Sequence, residues 1–206
     1  MLIGGFEESP LELRASPRGG RIIRGRFKYN SLATLSDGGR NGGRPRKEQF
    51  KPGAFTYSLE APEQDIALLH GHSFDKPLAS KKTGTLTFND TKEALQFDAE
   101  IVPAVAEISW VQDLFRLIEA GLSIGLSPGF RIPPPSAVKP EDAETIENEN
   151  PSLGRAIIRT ILQAILFELS IVSRPAYQDA TVEMRNWQVI ESGLAVPRPQ
   201  TILRYR

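Results

Sequence analysis

The sequence predicts an α+β protein that is mainly β, and three observations support this fold class. Residues 65–72 and 95–102 are patterned with a period of two, which is typical of half-buried strands. A turn signal at residues 89–92 separates the second segment from a further strand at 84–88, so these segments predict a β-meander. At residues 104–120 the apolar side chains recur every three or four positions, which indicates one amphipathic helix.

Shorter signals predict the elements that precede and interrupt this meander. Residues 22–29 predict a strand in which Ile23 and Phe27 share one face. A Pro-Gly pair predicts a turn or a short helix at residues 54–59. Residues 73–80 are polar and include a proline, so we expect a turn there.

The second half of the chain contains one strongly apolar segment. Residues 155–172 are compatible with a helix followed by a strand, or with two strands. Gly121 is expected to end the helix at 104–120 as its C′ residue. Residues 181–187 predict the start of another helix.

Composition excludes several classes of protein. Lys plus Arg and Asp plus Glu both number 25, and this balance argues against a protein that mainly grips nucleic acid or an anionic membrane. The absence of cysteine excludes thiol nucleophiles, disulfides and iron–sulfur clusters. No apolar run has the length of a membrane span, and the amino terminus lacks a secretory signal pattern. We therefore expect a soluble, non-secreted protein.

The chain predicts one folded domain with flexible ends. We expect a flexible arm at residues 1–21, the domain at 22–187, and a proline- and arginine-containing tail at 188–206. Residues 133–152 are rich in proline and acidic side chains and predict a disordered insertion. The glycine- and arginine-rich residues 36–47 favour a solvated loop over a phosphate or nucleic-acid clamp, because they lack interleaved aromatics.

The two histidines of the chain, His70 and His72, are expected on one strand face. Together with carboxylates they are compatible with a metal site, but zinc usually takes three or four strong ligands, so we predict no metal and no cofactor. The simpler interpretation of either histidine is a half-buried side chain bonded to backbone. The chain contains no Walker, dinucleotide-binding or GxSxG motif.

Residues 121–130, GLSIGLSPGF, contain two candidate nucleophiles. Alternation places Ser123 and Ser127 on one strand face beside glycines, and Leu122 and Leu126 on the other. A serine hydroxyl needs a neighbouring base to become a nucleophile, and histidine suits that task near neutral pH. Alternation alone does not choose between the two serines.

Glu168 is a carboxylate inside the otherwise apolar strand LFELSIV. Its burial is unfavourable unless the charge is paired. One interpretation is a group that orients a catalytic histidine. The other is a structural ion pair with Arg155, Arg159 or Arg174, and the sequence does not separate the two.

Four segments in a fixed order resemble a known family. "FKPGAF", "ALLHGHSFDKPLA", "GLSIGLSPGF" and "FELSIVSRPAYQDA" resemble the prohead proteases of tailed phages, serine endopeptidases of head maturation. That family shares a fold type with the herpesvirus assemblins. The resemblance runs from about residue 22 to residue 182.

The resemblance implies three catalytic residues. The family's Leu-Leu, two variable residues and catalytic histidine match the segment that ends at His72, which therefore is preferred over His70 as the base. The family's Ser-x-Gly-Phe nucleophile element matches Ser127. Its Glu-x-Ser-x-Val element matches Glu168 as the third member of the triad. The chain has no histidine after position 72, so a Ser-His-His arrangement is not possible. Pro128 departs from the pattern, because it removes a backbone N–H beside the nucleophile.

The resemblance also implies a fold and a biological role. The expected fold is a small closed β-barrel or sheet surrounded by helices. The expected function is cleavage of scaffold and capsid-protein segments, and of the chain itself, inside the immature procapsid in the host cytoplasm. The expected partners are those substrates and a second copy in a homodimer or higher homo-oligomer, with no nucleic acid or membrane required.

Two functions of other classes compete with the protease. One is a non-catalytic capsid-assembly or scaffolding protein on the same fold. The other is a β-rich binding module that uses the loop at residues 36–47.

Overall fold

The computed structural model describes residues 11–17, 19–39, 43–123 and 125–173, and the backbone of two strands at 187–189 and 195–197. In chain order its elements are β1 (Leu11–Ala15), β2 (Arg21–Lys28), β3 (Ala33–Ser36), β4 (Arg46–Phe50), α1 (Thr56–Glu60), β5 (Ala67–His70), β6 (Ser73–Ser80), β7 (Leu86–Asp90), β8 (Ala94–Ile101), α2 (Pro103–Ala106), α3 (Ser109–Glu119), β9 (Gly125–Arg131), α4 (Pro140–Ala143), β10 (Glu144–Asn148), β11 (Ile157–Ile161), β12 (Ile165–Val172), β13 (Trp187–Val189) and β14 (Ala195–Pro197).

The strands form three four-stranded sheets and one two-stranded pair. The sheet orders are β1-β2-β8-β7, β10-β11-β4-β3 and β6-β5-β12-β9, and β13 pairs with β14. The pairs β11–β4 and β12–β5 are parallel, and the other pairs are antiparallel. The mainly β, α+β class is confirmed, whereas no sheet in the described part of the chain closes into a barrel.

Aromatic side chains join the sheets at the centre of the core. The rings of Phe27 and Phe50 meet edge to face with centroids 5.4 Å apart, and Phe55 lies 5.0 Å from Phe50. Ile23 and Phe27 are both buried, so the predicted inward face of β2 is confirmed. The short helix expected after the Pro-Gly pair is α1, which contacts β12.

The helix predicted at residues 104–120 is present as two helices, α2 and α3. The break falls at Ile108, which precedes α3 as its N-cap and is exposed instead of joining the apolar face. The buried side of α3 packs near β1 and includes Leu114 and Phe115. Gly121 has a positive φ of 69° directly after the C-cap residue, as predicted.

The turn expected at residues 73–80 is wrong, because this segment is strand β6. β6 lies at the edge of its sheet, and its pairing with β5 is irregular. An edge strand tolerates Pro77, since a proline nitrogen on the open side removes no ladder hydrogen bond. The apolar residues 155–172 form two strands, β11 and β12, which selects the second of the two alternatives.

Two segments expected to lack structure carry strands. β1 lies within the arm predicted at residues 1–21 and pairs with β2. The insertion predicted as disordered at 133–152 contains α4 and β10, and β10 pairs with β11. Composition does not reveal how this segment is held in place. The buried carboxylate of Glu149 bonds Lys47 and accepts the Ala156 N–H at 3.0 Å.

The helix predicted from residue 181 falls on residues outside the described part, apart from the first position of β13. The described helices are all too short or too polar to span a bilayer. The division of the chain into arm, domain and tail stays a prediction.

Candidate active site

A left-handed turn places His72 at the end of the central strand β12. β5 ends at His70, and Gly71 and His72 follow with φ values of 66° and 60°. The Gly71 N–H donates to the Ile171 carbonyl at 3.0 Å, and the His72 N–H donates to Ser170 Oγ at 2.9 Å. The strand predicted over residues 65–72 is therefore too long, and His70 and His72 do not share one strand face. These two hydrogen bonds hold the strained backbone of His72 in place.

His72 and Glu168 form a buried pair. His72 Nδ1 lies 2.7 Å from Glu168 Oε1, and the Glu168 residue is 4% exposed. An ionised carboxylate only accepts hydrogen bonds, so Nδ1 carries the donated proton and Nε2 is the ring nitrogen left for a substrate. This is the geometry in which a carboxylate fixes the tautomer of a histidine base.

The alternative ion pairs for Glu168 are not found among the described arginines. Arg159 bonds two other carboxylates, Glu48 and Glu144, and Arg155 donates to a backbone carbonyl. The third candidate, Arg174, lies outside the described residues. The charge of Glu168 is instead met by His72 and by the hydroxyl of Ser170.

Ser170 connects the backbone of His72 to the carboxylate of Glu168. Its Oγ accepts the His72 N–H and donates to Glu168 Oε2 at 2.5 Å, and the residue is fully buried. From the sequence, Ser170 is matched only as a part of the Glu-x-Ser-x-Val element, without a role of its own. The available signal was its position two residues after Glu168, which places both side chains on one face of a strand.

The structure separates the two candidate serines. Ser127 lies on β9 directly opposite Ser170 of β12, on the face that carries Glu168, and it is partly exposed. The Cβ atoms of such opposed residues lie about 4.5–5.5 Å apart. Ser123 precedes β9 and is fully buried, so the shared face predicted for the two serines is wrong. In the described part of the chain, Ser127 Oγ makes no hydrogen bond with the His72 ring.

Of the two leucines predicted to pack on the other face of β9, one does so and one does not. Leu126 lies in the core, whereas Leu122 is 63% exposed. Leu122 does not pack there because residues 121–123 form a turn, and the strand begins only at Gly125.

Gly129 is required by the position of the Glu168 carboxylate. The two residues lie opposite each other on β9 and β12. A Cβ atom on Gly129 would stand 2.2 Å from Glu168 Oε1, which is far closer than a van der Waals contact. Gly129, two residues after Ser127, therefore makes room for the carboxylate that contacts His72.

Pro128 has a position that a strand tolerates. It lies opposite Leu169, and β9 is an edge strand of its sheet. On an edge strand the proline nitrogen can face the open side, where the missing N–H breaks no bond within the sheet. Pro128 is thus compatible with an intact ladder beside Ser127.

His70 belongs to a different cluster. Its ring stacks on Trp110 with centroids 6.1 Å apart, and it lies opposite Ile171 on the core side of β12. Burial, and then the nearby Lys76 charge, lower the pKa of His70. Within the described residues no three His, Cys, Asp or Glu side chains are grouped as a metal site would require.

Comparison with known proteins identifies the family. Residues 10–192 match the family model of the caudovirus prohead serine proteases. Comparisons with curated proteins and with solved structures gave no match. Because the family match spans most of the chain, the chain belongs to the caudovirus prohead serine protease family.

Proposed function

We propose that this member of the prohead serine protease family is an active serine endopeptidase. Ser127 is the nucleophile, His72 is the general base and acid, and Glu168 orients and stabilises the His72 ring. The observation that carries the proposal is the 2.7 Å contact between His72 Nδ1 and the buried Glu168 carboxylate, on the sheet face that presents Ser127. A buried carboxylate on a histidine ring is the arrangement that a serine nucleophile needs.

Each step of the reaction uses one of these groups. His72 Nε2 takes the proton of Ser127 Oγ while the oxygen attacks the substrate carbonyl and forms a tetrahedral intermediate. The Glu168 carboxylate stabilises the resulting imidazolium. Nε2 then gives the proton to the departing amine, which leaves an acyl-enzyme. A water molecule, deprotonated by the same nitrogen, hydrolyses the ester and restores Ser127.

Ser170 supports this chemistry without touching the substrate. Its hydroxyl holds one oxygen of Glu168 and the backbone N–H of His72, so both partners of the ring pair are fixed to β12. Catalytic groups must be held close to their productive geometry, and a 1 Å displacement is enough to reduce rates strongly. Ser170 is therefore a positioning residue.

The substrates follow from the family. We infer that the enzyme cleaves scaffold and capsid-protein segments inside the procapsid in the host cytoplasm, acts as a homo-oligomer, and cleaves itself. The relationship to the herpesvirus protease fold type, implied by the resemblance, belongs to the same proposal, without a closed sheet in the described part of the chain. Self-cleavage is tested by the mass of the purified chain over time: loss of mass in the wild type but not in Ser127→Ala supports it, and an unchanged wild type contradicts it.

Fluorophosphonate labelling tests the enzyme against the non-catalytic alternative. We expect one label per wild-type chain, no label in Ser127→Ala, and full labelling in Ser123→Ala, because Ser123 is buried and lies outside the site. A folded wild-type protein that takes no label would contradict the enzyme and favour an assembly or scaffolding protein. Salt-dependent nucleic-acid binding would instead favour the binding module.

A further inference from the structure

Arg131 lies on the same face of β9 as Ser127. Residues two apart on a strand share a face, so Ser127, Gly129 and Arg131 form one row. At about 3.4 Å per residue, the Cα atom of Arg131 is roughly 13–14 Å from that of Ser127. Arg131 is opposite Ile165, near the start of β12.

A bulge in β12 brings an aromatic ring to this row. Leu166 lies opposite Phe130 and Glu168 opposite Gly129, so Phe167 is an extra residue between two consecutive positions of β9. Strict alternation would turn Phe167 away from the face of Glu168. The contact of the Phe167 ring with Arg131 places this side chain on the face of Glu168 instead, which the extra residue of the bulge makes possible.

The guanidinium group of Arg131 is held by this ring. Its central carbon lies 5.0 Å from the centroid of Phe167. Stacking on an aromatic face is a favourable arrangement for arginine, and it leaves the hydrogen-bonding edge of the guanidinium open. The bulge thus fixes the direction of the Arg131 side chain beside the row that contains Ser127.

Arg131 has no carboxylate partner in the described part of the chain. Its Nε is buried and makes no hydrogen bond there. Arg159, by comparison, is also half-buried, and it bonds both Glu48 and Glu144. A partly buried, stacked guanidinium that has no counter-ion among the described residues is suited to receive a carboxylate by a charge-assisted bond.

We infer that Arg131, stacked on Phe167, forms a subsite for an acidic side chain of the substrate. An extended peptide rises about 3.3 Å per residue, so 13–14 Å corresponds to about four residues from the scissile bond. The inference rests on the proposed function, because it assumes that the bond is cleaved at Ser127. It assigns Arg131 a role in specificity and none in the chemical step.

Cleavage of a randomised peptide library, read by mass spectrometry, tests the subsite. We expect the wild type to favour Asp or Glu about tenfold at one position about four residues from the cleaved bond, the effect of one charge-assisted bond. Arg131→Gln is expected to lose this preference, and Arg131→Glu to prefer Lys or Arg there. Arg116→Gln, which alters an exposed arginine on α3, is expected to keep it.

Two further readouts separate the possible outcomes. Fluorophosphonate labelling without any acidic preference in the wild-type library would overturn the subsite and leave the proposed function standing. Absence of both labelling and cleavage would overturn both. If the Arg131 variants do not fold, the wild type is assayed on two peptides that differ only by Glu or Gln at the position about four residues from the cleaved bond. Equal kcat/KM values at low salt would overturn the subsite. A preference for the Glu peptide that weakens with salt would support it.

Discussion

The carboxylate of Glu168 lies directly against Gly129, so that the strand carrying Ser127 and the partner of His72 are fitted to each other. A Cβ atom at position 129 would stand 2.2 Å from Glu168 Oε1 and 2.7 Å from its carboxyl carbon. Since Gly129 is two residues after Ser127, any side chain there would displace the carboxylate that contacts the His72 ring. This contact makes the site sensitive to the smallest possible substitution.

Gly129→Ala is expected to reduce activity by at least tenfold and to lower the free energy of unfolding by about 1–3 kcal/mol, because Glu168 must move. Peptidase rates and urea unfolding measure the two effects. Gly25→Ala is the matched control, since its Cβ would stand 2.5 Å from two ring atoms of Phe97. Gly25 and Phe97 pair with each other in a sheet that does not contain Ser127 or Glu168. Gly25→Ala is expected to lose stability but to keep its rate per folded molecule. A normal rate in Gly129→Ala would show that Glu168 does not act on catalysis.

Glu168→Gln keeps the size of the side chain and removes its charge. We expect kcat to fall by about 10²–10⁴-fold, because the amide does not stabilise the imidazolium and can select the wrong tautomer. Glu149→Gln, which alters another buried carboxylate, is the control and is expected to keep its activity. Equal kcat values in the two variants would contradict the orienting role of Glu168.

Ser170→Ala removes one acceptor and one donor from the buried pair. The His72 N–H and one Glu168 oxygen then lose their partner, so we expect roughly 1–3 kcal/mol less stability and a rate reduced at least tenfold. Ser58→Ala is the control, because that buried hydroxyl accepts the Leu166 N–H at 2.9 Å outside the His72–Glu168 pair. If both variants lost stability and neither lost activity, Ser170 would be a structural residue only.

The ionisation of Tyr29 is expected to make the folded state less stable at high pH. Burial, and then the hydrogen bond to Asp90 at 2.7 Å, raise the pKa of Tyr29 well above its ordinary value near 10. The folded chain therefore keeps the proton that the unfolded chain loses above about pH 10. The contribution is complete below that pH, and stability falls by about 1.4 kcal/mol per pH unit above it.

The comparison with Tyr29→Phe isolates this contribution. Urea unfolding between about pH 9 and pH 11.5 is expected to show a shallower loss of stability in Tyr29→Phe than in the wild type. The slopes of the two curves should differ by the equivalent of about one proton released on unfolding. Parallel curves for the two proteins would show that Tyr29 does not titrate on unfolding.

The sequence predicted the parts of the site that depend on local patterns. Alternation did not choose between Ser123 and Ser127, whereas the family motifs pointed to the candidates Ser127, His72 and Glu168, of which the structure brings His72 and Glu168 into contact. The bulge at Phe167 was not predictable, because one extra residue reverses the alternation without a signal of its own. The turn at His72 was also missed, since a positive φ is uncommon for histidine and is stabilised here by bonds to β12.

The larger errors concern contacts between distant segments. Acidic composition indicated disorder at residues 133–152, but pairing with β11 and the buried bonds of Glu149 order the part that forms β10. Proline and polar residues indicated a turn at 73–80, but an edge position in a sheet accepts both. The strands that pair with these two segments are distant in the sequence or become neighbours only in the sheet, so local composition does not reveal them.

The residue that a fluorophosphonate probe modifies is the sharpest test of Ser127 as the nucleophile. Wild-type protein is treated with the probe, digested, and the modified residue is located by tandem mass spectrometry. We expect a single adduct on Ser127 that disappears in His72→Ala. An adduct on any other residue, or labelling of Ser127 that persists unchanged in His72→Ala, would contradict the proposed roles of the two residues.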